Sequence, residues 1–442
     1  MGVVQCHRCR AKSTLEATYS QELSALGRTR RYCPPCAHQR TERSSKNSVY
    51  WLGALVAAGL SLLALGRWTP FGTIMGWITL NLCLFYACLY ATIVPHELGH
   101  AVVGRVLGFR VFSITLGTGP RLFDREVLGM RVRVHAFPVG GVTVVAPIER
   151  RWVRAKKLLI DAAGPAANAV VLAVVWSFDP DLRLQVLAAG PAIGAMAFLS
   201  QLVVLVLNLL PMHVPTPAGR LPNDGLQMLR LPRLPPAAIE ELLAARYALE
   251  ATALDDRGLV REALSCLEEG VATHPNASSL HFALGIRFVL LGDYGEGRRR
   301  FLQAAELPGV HPVTQAIAWN NVAWTDVVVG TADGLDEADR LSAQALEVLG
   351  WSSALKGTRG AVLVDRGQTD EGVRLLREAL GDTRGDPLHP MARATYAGAL
   401  ALGLIAQGRV EEAAEHLHLA RAHYAICPIL PRVEAALAAA AR

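Results

Sequence analysis

The chain is 442 residues long, enough for two or three domains. Hydrophobic residues make up 52% of it and the mean hydropathy is positive, which excludes a protein soluble throughout and predicts membrane spans. The formal net charge of +6 would suit a nucleic-acid partner, but membrane topology accounts for the basic residues and aromatic interleaving is missing, so no nucleic acid is expected.

The chain opens with two CxxC pairs, Cys6-His7-Arg8-Cys9 and Cys33-Pro34-Pro35-Cys36, separated by 23 residues. Four thiolates in this arrangement read as a structural zinc ribbon over residues 1–46, too small to fold without its metal. Disulfides are disfavoured in a reducing cytoplasm. Cys83, Cys88, Cys266 and Cys427 are scattered and read as packing residues.

Four apolar stretches approach the ~20 residues that a bilayer demands. They are Val49–Gly66, Phe71–Val94, Leu158–Phe178 and Leu184–Met212. The first 48 residues are polar and rich in Arg and Cys, unlike a cleavable signal peptide, so the first stretch is expected to act as an anchor. Arg40, Arg43 and Lys46 precede it, and eleven basic residues from Arg105 to Lys157 lie between the second and third stretches. The other two connections hold only Arg67 and Arg183. This asymmetry predicts cytoplasmic termini and an integral membrane protein of a bacterial plasma membrane.

No charged residue occurs from Thr69 to Pro95; then His96-Glu97-Leu98-Gly99-His100 follows. On a helix the two histidines share one face, the spacing that grips a zinc ion. Glu97 lies off that axis, where its carboxylate can take a proton from water. Ionisable groups at membrane depth are costly and point to function. Pro95 removes one backbone hydrogen bond just before the motif, which can help open a polar path. Two imidazoles leave a catalytic zinc one protein ligand short. One carboxylate fits best, since a divalent ion with two neutral imidazoles, one carboxylate and a hydroxide is formally neutral. Asp161 and Asp224 are the candidates, and Lys156 or Lys157 can pair with Asp161 instead.

Between the second and third stretches the period changes. Val111 to Leu116 and Arg131 to His135 alternate like strands, with glycines at the breaks, and Phe137-Pro138-Val139-Gly140-Gly141-Val142 follows. A small sheet with irregular backbone against the bilayer is predicted, and its glycine-rich edge can pair with an unwound peptide.

From about Pro236 the chain is helical and repetitive. Glu262, Glu296, Glu337, Glu371 and Glu412 recur at spacings of 34, 41, 34 and 41. Gly258, Gly292, Asp333, Gly367 and Gly408 precede them by four residues as turn formers. Small residues follow at fixed offsets: Ala263, Gly297, Ala338, Gly372 and Ala413 first, then Gly270, Ala304, Ala345, Ala379 and Ala420. Helix pairs of this period resemble the tetratricopeptide repeat, with five pairs and a capping helix near Pro431–Arg442.

A second resemblance covers roughly residues 70 to 230. His96 to His100, Gly164-Pro165-Ala166-Ala167-Asn168, and Asn208-Leu209-Leu210-Pro211 leading to Asp224-Gly225 together resemble the site-2 protease family, as does Phe137 to Gly141. In that family three core helices hold a zinc inside the membrane, and substrate helices are cut near the cytoplasmic leaflet. The resemblance implies His96, His100 and Asp224 as ligands and Glu97 as general base. It implies substrate contacts at Asn208, Asn168, Gly140 and Gly141, with Asn208 holding the substrate strand or its oxyanion. The spacer from Pro211 to Asp224 is longer than the commonest family pattern and contains His213, which is expected to be a bystander.

The expected fold is therefore mainly α. A polytopic membrane core of about four spans with a small membrane-associated β segment occupies 47–232, after a zinc ribbon at 1–46 and before an α-solenoid at 233–442. The expected function is zinc-dependent intramembrane endopeptidase of site-2 protease type, with one catalytic and one structural Zn²⁺. Its expected partners are a transmembrane substrate, the lipid bilayer, and a cytoplasmic protein or peptide on the repeats. The alternative, a non-enzymatic membrane scaffold with a structural metal site, gives Glu97 no task.

Overall fold

The uncharged run before the histidine motif folds into the longest helix. The computed structural model describes residues 4–7, 9, 11–13, 20–23, 29–33, 36, 53–65, 70–178, 190–216, 219–330, 334–381 and 388–442. In it, helix α1 (Gly53–Leu65) precedes α2 (Pro70–Val106), which continues unbroken through Pro95. At ~1.5 Å per residue, α2 is long enough to cross a ~30 Å apolar layer and still carry the histidine motif. Its partners are α3 (Val153–Phe178) and α4 (Ile193–Leu209). Of the four predicted stretches, α2 and α3 have full spanning length, while α1 and α4 are apolar but shorter. The flanks 51–52, 66–69 and 179–189 lie outside the described residues.

Small residues let these helices approach. A Cβ on Gly99 would lie 2.5 Å from the Ala163 carbonyl oxygen, and one on Gly76 would lie 2.7 Å from Leu63. Polar side chains fix the register. Asn81 donates to the Gly190 carbonyl (3.1 Å) and accepts from the Ala192 N–H (2.9 Å). Thr92 Oγ1 meets Ser200 Oγ at 2.9 Å. The outward faces keep Leu82, Val102, Val170, Val174 and Val206 exposed, as lipid-facing positions are.

The alternating segment forms one long folded hairpin of β5 (Phe109–Val127) and β6 (Met130–Pro147), after the short N-terminal strands β1 (Val4–Gln5), β2 (Lys12–Ser13), β3 (Ser20–Leu23) and β4 (Thr29–Tyr32). Val111 opposes Val145 and Leu116 opposes Gly141, while Ser113 to Leu116 also face Arg131 to Val134 on their other side. The fold-back needs Gly117, whose φ is +76° and whose Cβ would fall 2.3 Å from the Phe137 carbonyl oxygen. Tyr90 on α2 donates to the His135 carbonyl (2.7 Å) and so ties helix to sheet.

After α4 comes a second hairpin, β7 (His213–Thr216) and β8 (Gly219–Pro222), then α5 (Asp224–Arg230). The long spacer is thus an excursion whose ends are fastened together. Asn223 accepts from the Met212 N–H (3.1 Å) and donates to the Leu207 (2.8 Å) and Leu210 (2.7 Å) carbonyls. It also caps α5 by accepting from the Leu226 N–H.

The C-terminal half is five antiparallel helix pairs. They are α6 (Pro236–Asp255) with α7 (Val260–Thr273), α8 (Ser278–Leu290) with α9 (Tyr294–Glu306), and α10 (Pro312–Val329) with α11 (Leu335–Val348). Then follow α12 (Ser353–Asp365) with α13 (Thr369–Gly381), α14 (Pro390–Ala406) with α15 (Val410–His423), and the cap α16 (Leu430–Ala440). Gly258, Gly292, Gly367 and Gly408 take positive φ at the turns, and Asp333 lies outside the described residues. The small positions sit at crossings: Ala263, Ala338 and Ala413 are fully buried, and Phe301 fills the space over Gly285.

The N-terminal segment pairs β1 (Val4–Gln5) with β2 (Lys12–Ser13), and β3 (Ser20–Leu23) with β4 (Thr29–Tyr32). Chain contacts group Met1–Gln39 with Thr216–Arg220 and Pro236–Arg442 as one unit, and Arg40–Pro215 with Leu221–Pro235 as the other.

Candidate metal centre

Two helices deliver the cluster in the membrane unit. His96 and His100 stand one turn apart on α2, and Asp224 opens α5. Asp224 Oδ2 lies 3.0 Å from His96 Nε2 and 3.5 Å from His100 Nε2, and the two Nε2 atoms are 3.2 Å apart. All three residues are buried. Asp224 Oδ2 is buried without a hydrogen-bond donor in suitable geometry. A buried carboxylate oxygen beside two imidazole nitrogens, with no donor among them, has the donor set a zinc ion takes.

The outer nitrogens of both imidazoles are held, as ligand histidines require. His96 Nδ1 meets Asn168 Oδ1 at 2.6 Å, and Asn168 in turn donates to Gln201 Oε1 (2.6 Å) and the Thr92 carbonyl (3.2 Å). His100 Nδ1 donates to the Ile160 carbonyl at 2.6 Å. These bonds leave both Nε2 atoms free to face Asp224. Gly164 makes room, since a Cβ there would sit 2.3 Å from His100 Nε2.

Glu97 is 4% exposed and is fixed by the sheet, not by the ligand set: Thr143 on β6 donates to its Oε2 at 2.6 Å. Gly141 lies against the same carboxylate, and a Cβ there would meet Glu97 Oε1 at 2.4 Å. The glycine-rich edge and the catalytic candidate are therefore neighbours. Gly140 is exposed with φ +71°.

The remaining candidates separate. Asp161 pairs with Lys157, which also donates to Gln227 on α5 (3.3 Å), and it does not join the ligand cluster. His213 sits in β7, outside that cluster. Asn208 donates within its own helix to the Val204 carbonyl (3.0 Å). Asn168 has no exposed surface, and its bonds to His96, Gln201 and Thr92 set it behind the His96 ring, which it orients. Sequence reasoning missed Thr143 and Asn223. The alternation through Gly141 and Thr143 places both on one face, which was the available signal for the first; nothing local marks the second.

A second cluster gathers Cys6, Cys9, Cys33 and Cys36, with ligand atoms within 4.8 Å of one another. The Cys33 N–H donates to Cys6 Sγ (3.4 Å), and Cys9 Sγ lies 3.5 Å from Cys33 Sγ. Burial, with Cys9 and Cys6 beside it, pushes the Cys36 thiol up to about 12, and the bond to Cys6 raises Cys33 as well. Four thiolates in this cage need a cation.

A model of "Peptidase family M50" matches residues 84–332, more than half of the chain. A candidate zinc metalloprotease of Chlamydia pneumoniae is 31% identical over 113 residues, 26% of this chain and 17% of that protein. Another from Campylobacter jejuni is 28% identical over 123 residues, 23% of this chain and 31% of that one. The chain thus spans under a third of the length of these relatives. Among solved structures, a thermophilic TPR protein of Thermus thermophilus is 16% identical, covering 44% of this chain and 99% of its own, at a TM-score of 0.33. The TPR protein YrrB is 17% identical, covering 43% and 92%, at 0.30. With the His-Glu-Leu-Gly-His helix and its Asp224 partner inside the matched segment, the chain belongs to peptidase family M50 and carries tetratricopeptide-like repeats.

Proposed function

We propose that the chain is an intramembrane zinc endopeptidase that hydrolyses peptide bonds of membrane-spanning substrates near the cytoplasmic leaflet, in regulated proteolysis. The observation that carries this reading is a buried Glu97 beside a His96–His100–Asp224 cluster, adjoining a glycine-rich strand edge. A zinc ion on these three side chains would supply a Lewis acid that polarises a carbonyl and acidifies water. Glu97 takes the proton of the attacking water and passes it to the leaving amine nitrogen, while Thr143 holds the carboxylate in place. A helical substrate shields its carbonyls, so it unwinds first, and its strand pairs along Gly140 and Gly141 with Asn208 as a further polar contact. The organisation proposed is a zinc ribbon at 1–46, a protease core of about four spans at 47–232 and a repeat domain at 233–442. One zinc is catalytic and one structural, both termini are cytoplasmic in a bacterial plasma membrane, and the repeats bind a cytoplasmic protein or peptide.

The test compares membranes from cells that express the wild type or Glu97→Gln. New peptide termini inside transmembrane segments should appear only with the wild type. Identical termini in both would contradict the proposal.

A further inference from the structure

The N-terminal cysteine segment does not stand apart from the repeats. Trp351, in the turn between α11 and α12, packs against the cluster of Cys6, Tyr32, Cys33 and Cys36 and also against the repeat cluster that holds Leu349 and Leu355. At the preceding residue, Gly350, a Cβ would lie 2.2 Å from the backbone oxygen of Lys12 in β2. Only glycine lets the two backbones come so close. Repeat stacking has no need of this contact, because each helix pair meets its neighbours elsewhere.

The contact has a topological consequence. All the apolar helices of the membrane unit lie in the chain between the cysteine segment and the repeats. Segments that touch share a side of the bilayer, so the crossings between them are even in number. Helices α2 and α3 cross by length. Helix α4 is apolar and runs parallel to α2, tied to it at Asn81–Ala192 and at Thr92–Ser200, and we take it as the third crossing. Even parity then makes α1 the fourth crossing.

We infer that the four-cysteine segment is a metal-dependent clasp: with its metal bound, it seats on the Gly350–Trp351 turn of the repeats and closes both ends of the four-crossing membrane core on one side of the bilayer. This rests on reading the four cysteines as a metal site. A segment this small has too little core to hold its shape without the ion, so loss of metal opens the clasp.

The test uses the full chain in detergent micelles and reads zinc per chain together with amide hydrogen exchange. Cys33→Ser with Cys36→Ser should lose one zinc and speed exchange at residues 346–355 about tenfold. Gly350→Ala should keep every zinc yet speed exchange both there and in β2. An epitope inserted after Arg67 should be reached only from the face opposite both termini. Unchanged protection of 346–355 after zinc loss overturns the clasp while the metal reading stands. Undiminished zinc in the cysteine variant overturns the metal reading and the clasp with it. Protection unaltered by Gly350→Ala overturns the contact, and access to the epitope from the termini's face overturns the four crossings.

Discussion

The two ligand clusters differ in what stands beside them. Four sulfurs saturate a tetrahedral ion and leave no place for a substrate, with Tyr32 and Trp351 packed around them. The membrane cluster offers three candidate ligands, which would leave a tetrahedral ion a fourth position, and Glu97 beside it is held by the sheet. A closed site stabilises a fold and an open one can do chemistry, so on the proposed reading ligand count alone would fit one kind of ion to two ends. The clusters also differ in how they are made. The cysteine cage comes from two CxxC pairs close in sequence, whereas the membrane cluster needs α2, α3 and α5 to meet, with Asn168 and the Ile160 carbonyl aiming the imidazoles.

This contrast can be broken at several points. The largest effect belongs to the ligands themselves: His96→Ala, His100→Ala and Asp224→Asn should each empty the membrane centre and stop cleavage, without disturbing the cysteine site. Zinc counted by elemental analysis checks this, with one per chain expected against an expected two in the wild type. Asn168→Ala should weaken zinc by about 10–100-fold, the usual consequence of releasing a ligand histidine's outer nitrogen, measured by competition with a chelator. Loss of zinc affinity as large as for His96→Ala would mean that Asn168 does more than orient. Thr143→Val should leave zinc unchanged and slow cleavage about tenfold, because one charge-assisted bond to Glu97 is lost. Asn223→Ala should lower stability by about 2 kcal/mol through the lost cap and hairpin bonds, read as a shift in the denaturation midpoint. The smallest change is expected for Asp161→Asn, which alters the Lys157 pair but no ligand, so zinc and activity should hold. An empty centre in that variant would mean that the third ligand is wrongly assigned.

The legible parts of this molecule were those in which chemistry and spacing coincide within one element. His96, Glu97 and His100 lie within five residues of one helix, and the repeat glycines mark turns at which only a left-handed residue fits. Asp224 became legible as the ligand only through family resemblance, because the twelve residues between Pro211 and Asp224 carry no sign that Asn223 ties their ends together. Thr143 was hidden because its partner, Glu97, is distant in sequence and meets it through tertiary packing. The motif around Asn168 shows a polar residue but not the burial that turns it toward His96.

The central claim is a division of labour between three residues that hold zinc and one that moves protons. It is tested most directly by Glu97→Gln in the purified full chain, with zinc content and cleavage of a membrane-spanning substrate measured on the same preparation. The amide preserves size but cannot accept the water's proton, so zinc should stay at the wild-type level while cleavage falls at least ~100-fold. Wild-type cleavage by this variant would contradict the account and leave a scaffold with a structural metal in its place.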